Sequence, residues 1–104
     1  MGKAQKNEFE ISGEVLFVGM PKEIPRTNNL MKRILVIQGW IKNKYKCEIS
    51  FDFVNENMDK LNNIREGDWV SVDFHVRGNK KIQEDGLARW FTNLEGDNCI
   101  VDRD

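Results

Sequence analysis

Ile64-Arg65-Glu66-Gly67-Asp68-Trp69-Val70-Ser71-Val72-Asp73-Phe74-His75-Val76 decides the fold. A polar turn ends in Gly67-Asp68, and the chain then alternates. Val70, Val72, Phe74 and Val76 share one side; Trp69, Ser71, Asp73, His75 and Arg77 share the other. A period of two marks a strand buried on one face. The preceding residues, Asn55 to Ile64, predict a short helix with Met58, Leu61 and Ile64 on one face and Asn55 as N-cap. A short helix, a Glu-Gly-Asp turn and an alternating strand are what join the third and fourth strands of a small five-stranded barrel.

The other elements are laid around that strand. Phe9 to Gly19 predicts the first strand, with Ile11, Gly13, Val15 and Phe17 on one parity and a bulge or bend at Gly13. Met20 to Leu30 is a loop interrupted by Pro21 and Pro25, and its Lys22 and Arg26 are placed to touch a ligand. Met31 to Ile41 predicts the second strand. Leu35 and Ile37 are its expected core residues, although Ile34, Val36 and Trp40, on the other parity, are apolar too and leave the register open. After a Lys42-Asn43-Lys44 turn, Tyr45 to Phe53 alternates cleanly. Tyr45, Cys47, Ile49, Phe51 and Phe53 are expected inside, Tyr45 at the barrel mouth. Gly78 to Leu87 is a second polar loop with an Asp85-Gly86 turn, and Ala88 to Leu94 is the fifth strand. The expected organisation is a disordered N-terminus over 1–8, one domain over 9–97 and a short acidic tail over 98–104.

Composition agrees with one small domain. The chain has 104 residues, 32% of them charged and 39% apolar. No apolar run approaches the roughly 20 residues that cross a bilayer. The first residues lack the apolar core of a signal peptide, and Lys6 stands where a myristoylation signal has Ser or Thr. A cytoplasmic protein is expected. Cys47 and Cys99 are too few for a disulfide framework and lack metal-ligand spacing, and Cys47 is expected as a reduced core thiol. The net charge of −1 hides a segregation. Between residues 22 and 46, seven cations (Lys22, Arg26, Lys32, Arg33, Lys42, Lys44, Lys46) face one acid, Glu23, a local charge of +6. Residues 47–76 are predominantly acidic.

Five strands, a short helix between the third and fourth and two longer loops describe an all-β, five-stranded OB-fold barrel. Three pieces of the sequence also resemble single-stranded-DNA-binding-protein-like domains: Phe9-Glu10-Ile11-Ser12-Gly13-Glu14-Val15, Arg65-Glu66-Gly67-Asp68-Trp69-Val70-Ser71-Val72 and Arg89-Trp90-Phe91-Thr92-Asn93-Leu94. Their order resembles the short SSB-like domains of Bacteroidetes bacteria and their phages, over about residues 9–96. The resemblance implies an OB-fold that binds single-stranded DNA. The segment from the second to the third strand is less regular than the family pattern. The C-terminal residues, Asn98 to Asp104, lack the acidic tail with a Pro-Phe tip through which SSB proteins recruit partners.

A single-strand binder needs cations along the backbone path and rings that stack on bases. On an OB-fold these sit on the outer face of the second and third strands and on the two long loops. The expected nucleic-acid-binding residues are therefore Arg26, Lys32, Arg33, Trp40, Lys42, Lys44, Tyr45, Lys46, Lys80, Lys81, Trp90 and Phe91. Trp40 is out of phase with Leu35 and Ile37, and Phe91 with Leu94, so these two rings are the leading stacking candidates. Trp90, near its strand's start, fits either side, and Trp69 covers the barrel's end. His75 alone forms no catalytic constellation, and no phosphate loop, metal cluster or cofactor motif is present in the sequence. A non-enzyme without a cofactor is expected. It would take single-stranded DNA, or RNA, as partner, away from any membrane. It is expected as a homo-oligomer, a dimer through Ile34 and Val36. The alternatives are a protein–protein adaptor without nucleic-acid binding and a small-ligand or oligosaccharide binder.

Overall fold

The alternating stretch forms a strand between two partners, as one face of a closed barrel requires. The computed structural model describes residues 6–25, 27 and 29–102. In chain order the elements are β1 (Phe9–Val18), β2 (Lys22–Glu23), β3 (Met31–Ile41), β4 (Tyr45–Val54), a 3-10 helix (Asn55–Leu61), β5 (Trp69–Ile82) and β6 (Ala88–Val101). The sheet order is β1-β5-β6-β4-β3-β2, and a further β1–β3 pairing closes the barrel. Its five long strands are the expected ones. β2 is a two-residue addition on the edge of β3, with Lys22 opposite Lys32. Only β4 and β6 run parallel, where Asp52 meets Glu95.

Closure depends on β1. Its first half, Phe9–Glu14, pairs with β5, and its second half, Glu14–Val18, pairs with β3. The bend falls where expected: a Cβ on Gly13 would run into the Gln38 carbonyl oxygen. The bulge does not lie there. It lies between Val15 and Phe17, where the ladder skips Leu16. An extra residue reverses the inside–outside phase. Val15 is therefore buried, while Phe17, of the same parity in the sequence, is 50% exposed.

The core consists of Val15, Leu35, Ile37, Phe51, Phe53, Leu61, Ile64, Val70, Val72 and Cys99. Leu35 and Ile37 settle the register of β3; Ile34 and Val36 lie half-buried on the outer face. The helix closes one barrel end with Leu61, followed by Ile64. Its expected cap is different. Val54 occupies the cap without a side-chain bond, while Asn55 has φ +53° and its Oδ1 accepts from the Met31 N–H at 3.4 Å. The Glu-Gly-Asp turn is pinned to β1, because Gly67 N–H donates to the Val15 carbonyl (2.9 Å) and Val15 N–H to that of Asp68 (2.8 Å). Gly67 has φ +92°, a conformation for which glycine is suited.

Several boundaries move. β5 continues through Gly78 to Ile82, paired with Ala88–Thr92, so only residues 83–87 of the expected second loop form a turn. β6 continues to Val101, so residues 98–101 belong to the barrel and not to a tail. Cys99 lies in its core, where burial, with the Asp68 charge second, pushes the thiol up to about 11. Cys47, expected in the core, is only half-buried. Asn7, within the stretch expected to be disordered, brackets Val76: its Nδ2 donates to the carbonyl (2.7 Å) and its Oδ1 accepts the N–H (2.9 Å).

Gly96 marks the tightest point of the core wall, because a Cβ there would enter the Phe53 ring. Gly96→Ala should destabilise the protein by about 1–3 kcal/mol, the usual cost of overpacking. Phe53→Leu in that background should recover part of the loss. Urea unfolding of the single and double variants measures both; equal stability of Gly96→Ala and wild type contradicts this packing.

Candidate nucleic-acid interface

Two hairpins extend beyond the packed barrel of a molecule whose longest extent is 52 Å. The first is the β3–β4 tip. Lys42 (φ +54°) and Asn43 (φ +56°) are the central residues of the turn that joins Ile41 to Tyr45, closed by Lys44 N–H on the Ile41 carbonyl at 3.0 Å. Positive φ at both central positions matches the right-handed twist of a hairpin. Past the last core layer the inward-parity residues of this hairpin have nothing to pack against. Ile41 and its partner Tyr45 are 50% and 56% exposed, so Tyr45 stands clear of the barrel mouth instead of packing in it. Trp40, opposite Lys46 on the outer face, is 50% exposed. Lys46 Nζ lies 5.8 Å from the Trp40 ring centroid, and Lys44 Nζ 5.5 Å from that of Tyr45.

The second hairpin is the outer part of β5–β6. Cross-strand neighbours share a face of a two-stranded ribbon. Lys80 faces Trp90 on one side, in line with Val76 and Leu94; Asn79 faces Phe91 and Lys81 faces Arg89 on the other. Phe91 thus has the outward phase expected from Leu94, and Lys81 Nζ sits 5.5 Å from its ring centroid. Trp90 is the most exposed of the rings. Arg77 and Arg89 share the Phe91 face. The sequence put Arg77 on the outward parity but gave Arg89 no role; the signal for Arg89 was the parity that runs on past Gly78, hidden by the glycine and the polar run after it.

The remaining expected cations are differently placed. Lys32 pairs with Asp52 at 3.5 Å. Arg33 has inward parity and ties elements together, donating from Nε to the Gly19 carbonyl (2.9 Å) and from Nη1 to Asn62 Oδ1 (3.2 Å). Arg26 lies outside the described residues. Trp69 is 49% exposed at the start of β5. The two hairpins thus bring together Trp40, Lys42, Lys44, Tyr45 and Lys46 at one tip, and Lys80, Lys81, Trp90 and Phe91 along one arm. Lys32 and Arg33 stand apart in intramolecular contacts.

Glu48 and Asp52 share the outer face of β4 with Lys46, and the main acidic group lies elsewhere. Glu8, Glu10, Asp73 and Asp97 line an open cleft of about 530 Å³ with Phe9 and Phe74, on the β1–β5 side. Beside it, His75 forms an ion network across β5 and β6. Its Nδ1 is 3.0 Å from both carboxylate oxygens of Asp97, and its Nε2 is 3.1 Å from Glu95 Oε1. Arg77 Nη1 donates to Glu95 Oε2 at 3.1 Å. The hydrogen bond to Asp97 is the main cause of a raised His75 pKa, which burial opposes and the charges of Asp97 and Glu95 reinforce.

A family model described as Domain of unknown function (DUF3127) matches residues 10–98. No curated protein matches the chain. Among solved structures, the mitochondrial single-stranded DNA binding protein of S. cerevisiae aligns with a TM-score of 0.65 at 15% identity, covering 94% of this chain and 96% of that one. The small single-stranded DNA-binding protein from Streptomyces coelicolor aligns with a TM-score of 0.57 at 13% identity, covering 95% and 96%. Likeness at these identities is likeness of fold, and it agrees with the OB topology.

The His75 network gives a signed pH dependence. A pKa raised above 6.5 means that the folded protein holds the proton more tightly than the unfolded chain. The resulting stabilisation is complete below the unfolded value and is lost as pH rises through the folded one. NMR titration of the single histidine should give a value above 6.5. Urea midpoints should fall as pH rises from the ordinary imidazole value, about 6.5, through the higher folded one, and His75→Gln should flatten that fall.

Proposed function

This chain belongs to the DUF3127 family, and from its fold and surface we propose that it binds single-stranded DNA without strong sequence preference. The observation that carries the reading is the pairing of exposed rings with lysines. Trp40 with Lys46, Tyr45 with Lys44 and Phe91 with Lys81 each set a flat apolar face beside an ammonium group. That is the composition a nucleotide matches, since its base stacks on the ring and its phosphate meets the cation. Leaving several large rings in water calls for a ligand. Trp40 lies on the outer face of β3–β4, Tyr45 at the tip of the same hairpin on its other face, and Phe91 on the β5–β6 arm; hairpins and strand faces of these kinds are the parts of an OB-fold suited to oligonucleotides. The acidic cleft on the β1–β5 side repels phosphate and favours a path over the other face.

In this reading Lys42, Lys44, Lys46, Lys80 and Lys81 track the backbone, and Trp40, Tyr45, Trp90 and Phe91 stack on bases. The protein acts by binding alone, with no chemical step. A sequence-tolerant binder of this kind serves replication or repair, where single strands are exposed, and its expected compartment is the cytoplasm.

Electrophoretic shift with oligo-dT and with a duplex of equal length tests the reading. The single strand should bind more tightly, because a duplex offers no free base faces; equal affinity for both, or none for either, overturns the proposal. Trp40→Ala and Phe91→Ala should each weaken oligo-dT binding about tenfold, within the roughly 1–3 kcal/mol of one stacked base. Their melting temperatures should stay within a few degrees of wild type, because both rings lie outside the core.

The three tip lysines should act through counterion release. Replacing Lys42, Lys44 and Lys46 together by Ala should make the log–log salt slope shallower by about 0.7 for each phosphate that is no longer neutralised. A slope unchanged in the triple variant places the backbone path elsewhere.

A further inference from the structure

We infer that the strand's path does not end at the Trp40 tip but crosses the outer face and finishes in a base-sized cleft at its far end. The inference rests on the single-strand reading above and adds to it a site at the other end of β3. The cleft holds about 250 Å³ and is lined by Phe17, Gly19, Met20, Pro21, Lys22 and Ile34. It exists because of the β1 bulge. The skipped residue Leu16 turns Phe17 outward, opposite Val36, beside the half-buried Ile34. Gly19 N–H donates to the Ile34 carbonyl at 2.7 Å and holds the following Met20-Pro21 against this face. Phe17 is 50% exposed and Met20 80%, so the walls are apolar and open to solvent. An aromatic ring, a polarizable thioether and a prolyl ring make a slot for a flat ligand.

The charge at its rim says which flat ligand. Lys22 stands directly opposite Lys32 in the β2–β3 pairing. Like charges at that spacing repel and weaken the pair. Asp52 offsets Lys32 at 3.5 Å, whereas Lys22 has no acidic partner among the described residues. Glu23, the next residue, projects to the opposite side of its strand. An anion between the two lysines relieves the repulsion. A base in the cleft and its phosphate at Lys22 together make one nucleotide. From Lys32 to Trp40 the outer face runs for about 27 Å at roughly 3.4 Å per residue. Several consecutive nucleotides span that distance, within the range of about 4–16 that one OB-fold holds.

The experiment measures affinity against oligo-dT length by fluorescence anisotropy for wild type, Phe17→Ala, Lys22→Glu and Trp40→Ala. Light scattering is run on the same samples. On a long oligonucleotide, Phe17→Ala and Lys22→Glu should each weaken binding about tenfold. On the shortest length that wild type binds they should lose less, because that length engages the tip alone. Ultraviolet cross-linking of 5-iodouracil-substituted oligonucleotide should mark Phe17 or Met20 besides the tip rings. If Trp40→Ala weakens binding while both cleft variants bind as wild type does, the cleft lies off the path and this inference fails, although the single-strand reading survives. If wild type binds no oligonucleotide, both fall together. If Phe17→Ala changes the mass in solution but not the affinity, the cleft is instead a contact between copies, in line with the dimer expected through Ile34 and Val36, and the inference is overturned.

Discussion

β1 hydrogen-bonds β5 along its first half and β3 along its second, and that double pairing closes the sheet. It requires a bend at Gly13, where any side chain would collide with the Gln38 carbonyl, and a bulge at Leu16 that absorbs the change of direction. Closure buries one face of every long strand around Phe51 and Phe53, and the helix then needs to cover only one end, with Leu61. The Glu-Gly-Asp turn depends on the same strand, since both of its backbone bonds to β1 go to Val15, just after the bend.

The bulge decides more than curvature. By moving the chain half a pleat, it takes Phe17 out of the core and puts it on the outer face, while Val18 packs inward. A large ring is then left in water in a cleft with Ile34 and Lys22, and Lys22 faces Lys32 across the β2–β3 pair. The same geometry separates the charges. The β1–β5 side presents Glu8, Glu10, Asp73 and Asp97, and the β3–β4 side ends in Lys42, Lys44 and Lys46. A net charge of −1 thus coexists with a basic hairpin tip. Salt confines each field to about one Debye length, roughly 8–10 Å, so the acids of one side do little to cancel the cations of the other.

The barrel was legible in the sequence where one face is buried. Val70 and Val72, or Phe51 and Phe53, alternate with polar neighbours because half of each strand is in the core. Legibility failed where burial stopped. Gly78-Asn79-Lys80-Lys81-Ile82 shows no alternation, since both faces of the arm meet solvent, and so a paired strand looked like a loop. Tyr45 kept the parity of the core but lies beyond its last layer; parity gives direction and says nothing of depth. Phe17 departs from the side that its parity with Val15 suggests for a third reason, because a bulge at Leu16 reverses the phase without a glycine to announce it. The site followed the same division. Trp40 and Phe91 were identified by being out of phase with neighbours that are buried or half-buried. The charge of Arg33 suggested a ligand, and its inward parity puts the guanidinium on Gly19 and Asn62. Asn55 misled because a good capping side chain was taken up by the Met31 amide.

The residues that hold the fold and those offered to a ligand are almost disjoint, and this follows from the hairpins. A two-stranded ribbon in water is marginal by itself. Its outer residues gain little from burial: Ile82, Leu87 and Trp90 are each more than 60% exposed on the arm. Such segments lie at the low-stability end of a structure, where local opening costs least. The barrel fixes where the β5–β6 arm begins, through the ladder and the His75 network at the arm's base, and the ladder then runs on to Ile82 and Ala88 with little burial beneath it. Ordering side chains on binding lowers affinity relative to a preorganised site. In return a pliant arm can follow a flexible polymer whose bases differ in size. Under the proposed function, tolerance of sequence has a physical origin in the absence of a core beneath the rings.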